Sequence, residues 1–177
     1  MRKVILGLAV SLDGFIEGPN GEYDWCFTDQ DYGMSEFFKR IDSIFMGRRS
    51  YELVQKMHGS QEPANNPYAH LQLYVFSNTL KKADVKTFLI GGDIKKQVNE
   101  MKKQQGKDIW LFGGANLTAS FMNHGLVDEL GLAVHPIILG AGKPLFQGID
   151  KLIELTLTDT KTYSSGLVSL NYSVNHK

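Results

Sequence analysis

Apolar residues occur along the first two thirds of this chain in two alternating rhythms: short unbroken runs, and stretches with a spacing of three or four. The runs Lys3 to Val10, Ser43 to Met46, Leu71 to Phe76, Thr87 to Ile90, Asp108 to Phe112 and Val127 to Val134 have the length and branching of buried strands. Between them, Met34, Phe37, Phe38 and Ile41 fall at i, i+3, i+4 and i+7, one apolar helix face. Ser50 reads as the N-cap of a second helix through Tyr51, Leu53, Val54 and Met57, followed by a loop from His58 to Pro67. Asp93 reads as the N-cap of a third, bearing Ile94, Val98 and Met101 and closed by Gly106; a fourth spans Ala115 to His124 and is closed by Gly125.

Strand and helix in alternation predict an α/β domain with helices covering both faces of a largely parallel sheet. After Gly140 the rhythm changes to period two, with Leu155 and Leu157, then Val168, Leu170, Tyr172 and Val174, flanking Ser164-Ser165-Gly166. That is an antiparallel hairpin. The expected fold is therefore a mixed, mostly parallel sheet of about eight strands ending in a hairpin, as a single domain over residues 1–177. Ser11 to Tyr32, rich in glycine and acidic residues, is too long for a plain connection and is expected to lie over a site.

Composition narrows the function. The 177 residues are 42% hydrophobic, enough for one sizeable core, and 19 Lys plus Arg balance 19 Asp plus Glu. A net charge of zero leaves no electrostatic footprint for nucleic acid or anionic lipid, so neither a nucleic-acid partner nor a membrane is expected. The lone Cys26 cannot form an internal disulfide, no signal cleavage site follows the first apolar run, and no apolar stretch could cross a bilayer. The expected compartment is the cytoplasm and the expected partner a small molecule.

Two strand ends carry the candidate chemistry. Ile44-Phe45-Met46-Gly47-Arg48-Arg49-Ser50 ends a strand in glycine, two cations and a hydroxyl where a helix begins, and Trp110-Leu111-Phe112-Gly113-Gly114-Ala115-Asn116-Leu117 ends another in paired glycines. Helix starts present unpaired N–H groups and partial positive charge, and glycine lets a phosphate approach the backbone. Either motif alone reads equally well as a tight turn; two in one small sheet point to a dinucleotide. The third glycine of a Rossmann fingerprint and the Lys-Ser or Lys-Thr of a P-loop are absent. The five histidines have no metal-ligand spacing, so no metal is expected. Cys26 and Ser11 lack an adjacent base for covalent catalysis, and His135 before Pro136 reads as a strand irregularity.

Five segments in this order, Ala9-Val10-Ser11-Leu12-Asp13-Gly14-Phe15-Ile16, Phe45-Met46-Gly47-Arg48, Phe112-Gly113-Gly114-Ala115-Asn116-Leu117, Leu126-Val127-Asp128-Glu129-Leu130 and His135-Pro136-Ile137-Ile138-Leu139-Gly140, resemble the dihydrofolate-reductase-like family. The branch is similar to the C-terminal reductase domain of the bifunctional riboflavin-biosynthesis enzyme. The resemblance implies a three-layer α/β/α fold, an NADPH-binding reductase and a homodimer. It implies that Ala9 and Val10 line the nicotinamide and that the stretch from Asp13 to Gly18, with Ile16, closes over it. Gly47, Arg48, Arg49 and Ser50 would hold phosphates, Ser77 and Asn78 would reach the adenosine phosphate, and Gly113, Gly114, Ala115, Asn116 and Leu117 would form the pyrophosphate loop. A contact between copies is expected through Leu126 to Leu139 and the hairpin.

Two departures stand beside these matches. Met34 falls where folate-reducing relatives carry the carboxylate that binds the pterin, and Phe112 falls where the riboflavin branch commonly carries a glutamate. The remaining carboxylates near the motifs are Asp13, Glu17 and Glu36; Asp13 is the first choice as catalytic acid, with a turn-capping role equally open. The leading reading is an NADPH-dependent reductase of a small heterocyclic or carbonyl-bearing molecule, such as a pteridine- or pyrimidine-like ring. The alternatives are a non-catalytic nucleotide-binding protein and a stand-alone riboflavin-pathway reductase, in which Lys143 would meet a substrate phosphate. Neither cation cluster holds an acidic residue for a free ribose 2′-hydroxyl, so NADPH is expected over NADH, through one of Arg48 and Arg49.

Overall fold

The computed structural model describes residues 1–58, 66–84 and 86–176. Most of the loop expected from His58 to Pro67 lies outside the described residues. Fourteen elements follow along the described chain: β1 (Val4–Ser11), β2 (Phe15–Glu17), α1 (Met34–Arg40), β3 (Ile41–Gly47), α2 (Arg48–His58), β4 (Gln72–Phe76), β5 (Thr87–Ile90), α3 (Ile94–Lys103), β6 (Asp108–Gly113), α4 (Ala115–Asn123), β7 (Glu129–His135), β8 (Lys143–Pro144), β9 (Leu155–Thr162) and β10 (Val168–Val174). The main sheet has eight strands in the order β5-β4-β3-β6-β1-β7-β10-β9. From β5 to β7 every neighbouring pair is parallel; β10 runs antiparallel to β7 and to β9.

Strand alternation sorts the core into two layers. Val4, Leu6, Phe45, Ile109 and Leu111 pack with Val98 of α3 and Phe121 of α4. Their chain neighbours Ile5, Ile44, Met46 and Trp110 point the other way and pack with Tyr51 and Val54 of α2 and with Phe37 and Phe38 of α1. The result is the expected α/β/α sandwich. The amino ends of the strands are closed by buried charge: Arg2 bonds Asp42, Ser43 and the Lys107 carbonyl, and Lys102 Nζ lies 2.8 Å from Asp128. The carboxyl ends are left open.

Four sequence expectations shift. Ile41 does not extend α1; its extended backbone starts β3 and it is fully buried there, while the two-turn α1 buries no side chain of its own. Ser50 is not an N-cap, because α2 begins directly at Arg48 and carries Ser50 inside its first turn. The third helix ends at Lys103 with Gln104 as its C-cap, before Gly106. The long segment after β1 contains β2, which pairs antiparallel with β8 as a separate two-stranded sheet. Asp93 does cap α3, accepting a hydrogen bond from Lys96 N at 3.0 Å. Of the stretch expected to meet a second copy, Leu126, Val127 and Leu130 are consumed by the core, whereas Ile138 and, in the hairpin, Leu155 and Leu157 are exposed. Among the described residues no helix is long and apolar enough to cross a membrane.

Candidate active site

The direction of chain winding reverses between β1 and β6. The crossover after β1 carries α1 toward β3 on one face, whereas α4 carries the chain from β6 to β7 on the other, which opens a crevice at the carboxyl ends of the strands. A cleft of about 820 Å³ occupies it. The ends of β1, β3, β4, β5 and β6, the starts of α2 and α4, and β2 with β8 all contribute to its lining.

One half is built from glycine and small polar groups. Gly47, Gly91, Gly92 and Gly114 lie in its wall with Ser77, Asn78, Ala115, Asn116 and Leu117. A Cβ at Gly47 would come no nearer than 3.7 Å to any neighbour, so the protein's own packing does not demand glycine there; its absence of a side chain keeps the cleft open. Gly113 differs, with φ of +95° and a Cβ position only 3.3 Å from Leu8 and Thr118. Ser50 ties the two glycine turns together: its hydroxyl donates to the Gly113 carbonyl and accepts from Gly114 N, both at 3.2 Å. Beyond that bond to Gly114 N, the start of α4 has no side-chain cap and no acidic residue in its first turn, and Ala115, Asn116 and Leu117, whose amides have no intrahelical partner, line the cleft. Arg48 lies 3.8 Å from Glu52, whereas Arg49 makes no ion pair among the described residues.

The other half is aromatic and apolar. Trp110 and Phe112 stand on the α1/α2 face of β6, with ring centroids 5.1 Å apart, and Tyr68 lies against both. Trp110 Nε1 donates to the Gly7 carbonyl at 2.9 Å; a Cβ at Gly7 would sit 3.0 Å from that nitrogen, so the indole can lie across β1 because residue 7 has no side chain. Leu53 and Met57 of α2 and Tyr23 and Cys26 of the segment after β2 complete this wall. Tyr23 Oη donates to Met57 Sδ at 3.3 Å, joining that segment to α2. Burial pushes the Cys26 thiol up to about 11, with Asp24 adding to the shift, so this cysteine stays protonated. At the rim, Glu17 of β2 and Lys143 of β8 form an ion pair at 2.8 Å.

The cleft brings together Ala9, Ile16, Gly47, Arg48, Arg49, Ser50, Ser77, Asn78, Gly114, Ala115, Asn116 and Leu117. Val10, Gly18 and Gly113 stand outside its lining. Val10 is buried on the opposite side of β1 from Ala9, Gly18 turns its loop through a bond to Glu22, and Gly113 sits behind Ser50. The side chains of Ser77 and Asn78 are engaged locally: Ser77 Oγ accepts from the Thr79 and Leu80 amides and Asn78 Oδ1 accepts from Gly92 N.

Asp13 is also outside the cleft. Its carboxylate accepts from Ser11 Oγ at 2.7 Å, Gly140 N at 2.7 Å and Leu139 N at 3.2 Å, and these bonds, that from Ser11 foremost, hold it below the usual carboxylate range. It latches the loop after β1 to the Leu139–Gly140 turn, whereas the Asp13-Gly14 turn is held by Ser11, whose carbonyl accepts from Gly14 N and whose hydroxyl accepts from Phe15 N. Glu36 is exposed on α1 and paired with Lys39, and Met34 begins that helix away from the cleft. Of the three carboxylates only Glu17 reaches the site. His135 is buried, its Nε2 accepting from Phe27 N at 3.0 Å between the rings of Trp25 and Phe27; burial lowers its pKa and it holds a loop rather than facing the cleft. Among the described residues no group of three or more His, Cys, Asp or Glu is placed to hold a metal ion.

Tyr68 carries no sequence signal, Leu53 and Met57 read as the apolar face of a helix, and Tyr23 and Trp110 are marked only as parts of a site-covering segment and a strand-end motif; the backbone path shows that all five side chains border the cleft.

This architecture is that of a dihydrofolate-reductase-like protein, and comparison with solved structures agrees. Dihydrofolate reductase from Enterococcus faecalis, complexed with NADP(H) and RAB-propyl, superimposes with a TM-score of 0.68 at 16% identity over 98% of this chain and 97% of that one. A putative riboflavin biosynthesis protein from Shewanella sp. PV-4 superimposes with a TM-score of 0.85 at 24% identity, over 98% and 99% of the two chains. The chain belongs to the RibD C-terminal domain family, whose model matches residues 2–169. It is 46% identical over 180 residues to the uncharacterized protein YyaP of Bacillus subtilis (strain 168), covering 98% of this chain and 96% of that one.

Proposed function

We propose that residues 1–177 act as one domain, an NADPH-dependent reductase of a small molecule carrying a C=N or C=O bond. The observation that carries this reading is the union, in one cleft, of an uncapped helix start and glycine-lined wall with a pocket of aromatic rings. The first half fits a dinucleotide. The N–H groups at the start of α4 and the Arg49 guanidinium meet phosphate charge, and Gly47 and Gly114 leave it room at the backbone. Ala9 and Ile16 border the far end of the cofactor's path. These residues would hold NADPH, and the chemistry it would supply there is a hydride for the carbon of the substrate double bond.

The protein's own chemical task is then to deliver a proton to the nitrogen or oxygen of that bond. Lys143 Nζ is the acid within the cleft, and Glu17 fixes its position at the rim. The ammonium gives one proton, becomes an amine, and regains a proton from solvent, to which its side chain is 24% exposed.

Calorimetry checks the cofactor: NADPH binds at least about 10-fold more tightly than NADH, the contribution of one charge-assisted contact to the 2′-phosphate. Equal affinities refute the selectivity, and cofactor binding without oxidation by any carbonyl or imine substrate favours the non-catalytic reading. Two copies pair through the exposed edge strand β9, where Leu155 and Leu157 lie in the open. Sedimentation at micromolar concentration reads this directly, and a single-chain species alone refutes it.

A further inference from the structure

The two ends of the cleft differ in charge as well as in shape. Its charged lining residues are Glu17, Arg48, Arg49 and Lys143. Arg48 and Arg49 stand at the start of α2, beside the glycine turns, with Glu52 near Arg48. Along one stripe of α2, residues at i, i+4 and i+8 read Arg49, Leu53, Met57, so positive charge gives way to apolar surface toward the aromatic half. There the walls are Gly7, Tyr68, Trp110 and Phe112. Burial keeps the Tyr68 phenol protonated and neutral. Among the described residues, the lining cation outside the start of α2 is Lys143 at the rim, matched at 2.8 Å by Glu17.

A phosphate entering this half would lose part of its water and find no unmatched positive charge among the described residues, which disfavours it. A flat neutral ring would instead meet the partly exposed Tyr68 and Phe112 and the outer edge of Trp110, which itself covers Gly7. We infer that the aromatic half selects an uncharged planar ring about the size of a fused bicyclic heterocycle, and that the Glu17–Lys143 pair makes it discriminate against phosphorylated substrates. Glu17 is thereby a specificity residue: it cancels the charge that would otherwise recruit an anion. This inference deepens the reductase reading and rests on it for the placement of cofactor and substrate.

Equilibrium dialysis of the purified protein with saturating NADP⁺ tests it, using 1-naphthol and 1-naphthyl phosphate as probes that share a ring and differ in charge. Naphthol binds at least about 10-fold more tightly than its phosphate ester in the unmodified protein. Glu17→Gln tightens the ester about 10-fold by releasing Lys143, and changes naphthol binding less than about 2-fold. Absence of naphthol binding, equal binding of the two probes, or an unchanged ratio in Glu17→Gln each overturns the inference. Calorimetry of NADP⁺ on the same samples separates the two readings. Protein that discriminates the probes but binds no NADP⁺ refutes the cofactor assignment alone, and protein that binds NADP⁺ without discriminating refutes the substrate class alone.

Discussion

The two halves of the cleft are made from the same strand ends by opposite means. In the glycine half, backbone does the work: side chains are absent at Gly47, Gly91, Gly92 and Gly114, and what faces the cavity is N–H groups and helix dipole. In the aromatic half the side chains do the work, and Trp110 is locked by its bond to the Gly7 carbonyl and by ring contacts to Phe37, Phe38, Tyr68 and Phe112. The difference teaches how one crevice can serve two ligands. Backbone recognition depends on the path of the strands themselves, while side-chain walls can be rebuilt without disturbing the strands beneath.

Trp110→Ala is the severest way to break this comparison. The residue is 5% exposed and packs within the α1/α2 layer, so its removal costs about 3–5 kcal/mol of stability, read as a lower midpoint in urea. Trp110→Phe retains a ring and loses the bond to Gly7, at about 1 kcal/mol. A near-neutral alanine variant would show the aromatic half to be a loose surface lining with no structural anchor.

The glycine half is sharpened by its two arginines. Arg49→Ala weakens NADPH about 10- to 100-fold and NADH far less, because one charge-assisted bond to phosphate is worth roughly 1.5–3 kcal/mol. Arg48→Ala has the smaller effect, since Glu52 lies beside that guanidinium. The reverse ranking by calorimetry would exchange their roles.

How far the sequence reveals these halves follows from the same contrast. Gly47 to Ser50, and Gly114 to Leu117, are contiguous motifs at strand ends, so their place beside a cleft shows in local spacing. The strands around them are equally legible, since unbroken apolar runs such as Val4 to Leu6 and Ile44 to Met46 belong to a sheet buried on both faces. The aromatic half is assembled from Gly7, Leu53, Tyr68 and Trp110, which are far apart in the chain: Gly7, Leu53 and Trp110 read only as parts of strands or a helix, and Tyr68 gives no local signal. Glu17 and Lys143 meet only because β2 pairs with β8, two short strands with no pattern of their own. Ile41 misled for a related reason: it completes the helical spacing of Met34, Phe37 and Phe38, yet the sheet offers it fuller burial than a two-turn helix can.

A smaller effect concerns the loop that closes the aromatic half. His135 Nε2 must be unprotonated to accept from Phe27 N, which assigns the ring proton to Nδ1, facing the Ala133 carbonyl 3.0 Å away. Protonation would set a second donor against the Phe27 N–H. Burial lowers the folded pKa beneath the ordinary value near 6.5, so the unfolded chain binds more protons in that window. Stability is therefore full above about pH 6.5 and falls as pH drops toward the lowered folded value. Melting temperatures between pH 7.5 and 5 measure this decline, and His135→Gln flattens it; an unaltered slope in that variant would place the titration elsewhere.

The smallest expected effect is at Asp13, and it separates the latch from the site. Asp13→Asn keeps an oxygen to accept from Gly140 N or Leu139 N but removes the charge that Ser11 and those amides stabilise. A carboxylate held below its usual range is ionised at neutral pH and has almost no proton to give, and this one lies outside the cleft lining. The turnover number with any accepted substrate should therefore change less than about 3-fold, against the 100-fold or more expected on losing a general acid. Lys143→Met, by contrast, should lower turnover by about 100-fold while NADPH affinity holds. Parallel kinetics on the two variants distinguish the positions: if Asp13→Asn is the crippled enzyme and Lys143→Met the active one, the proton enters from the loop beside β1 and the rim pair serves specificity alone.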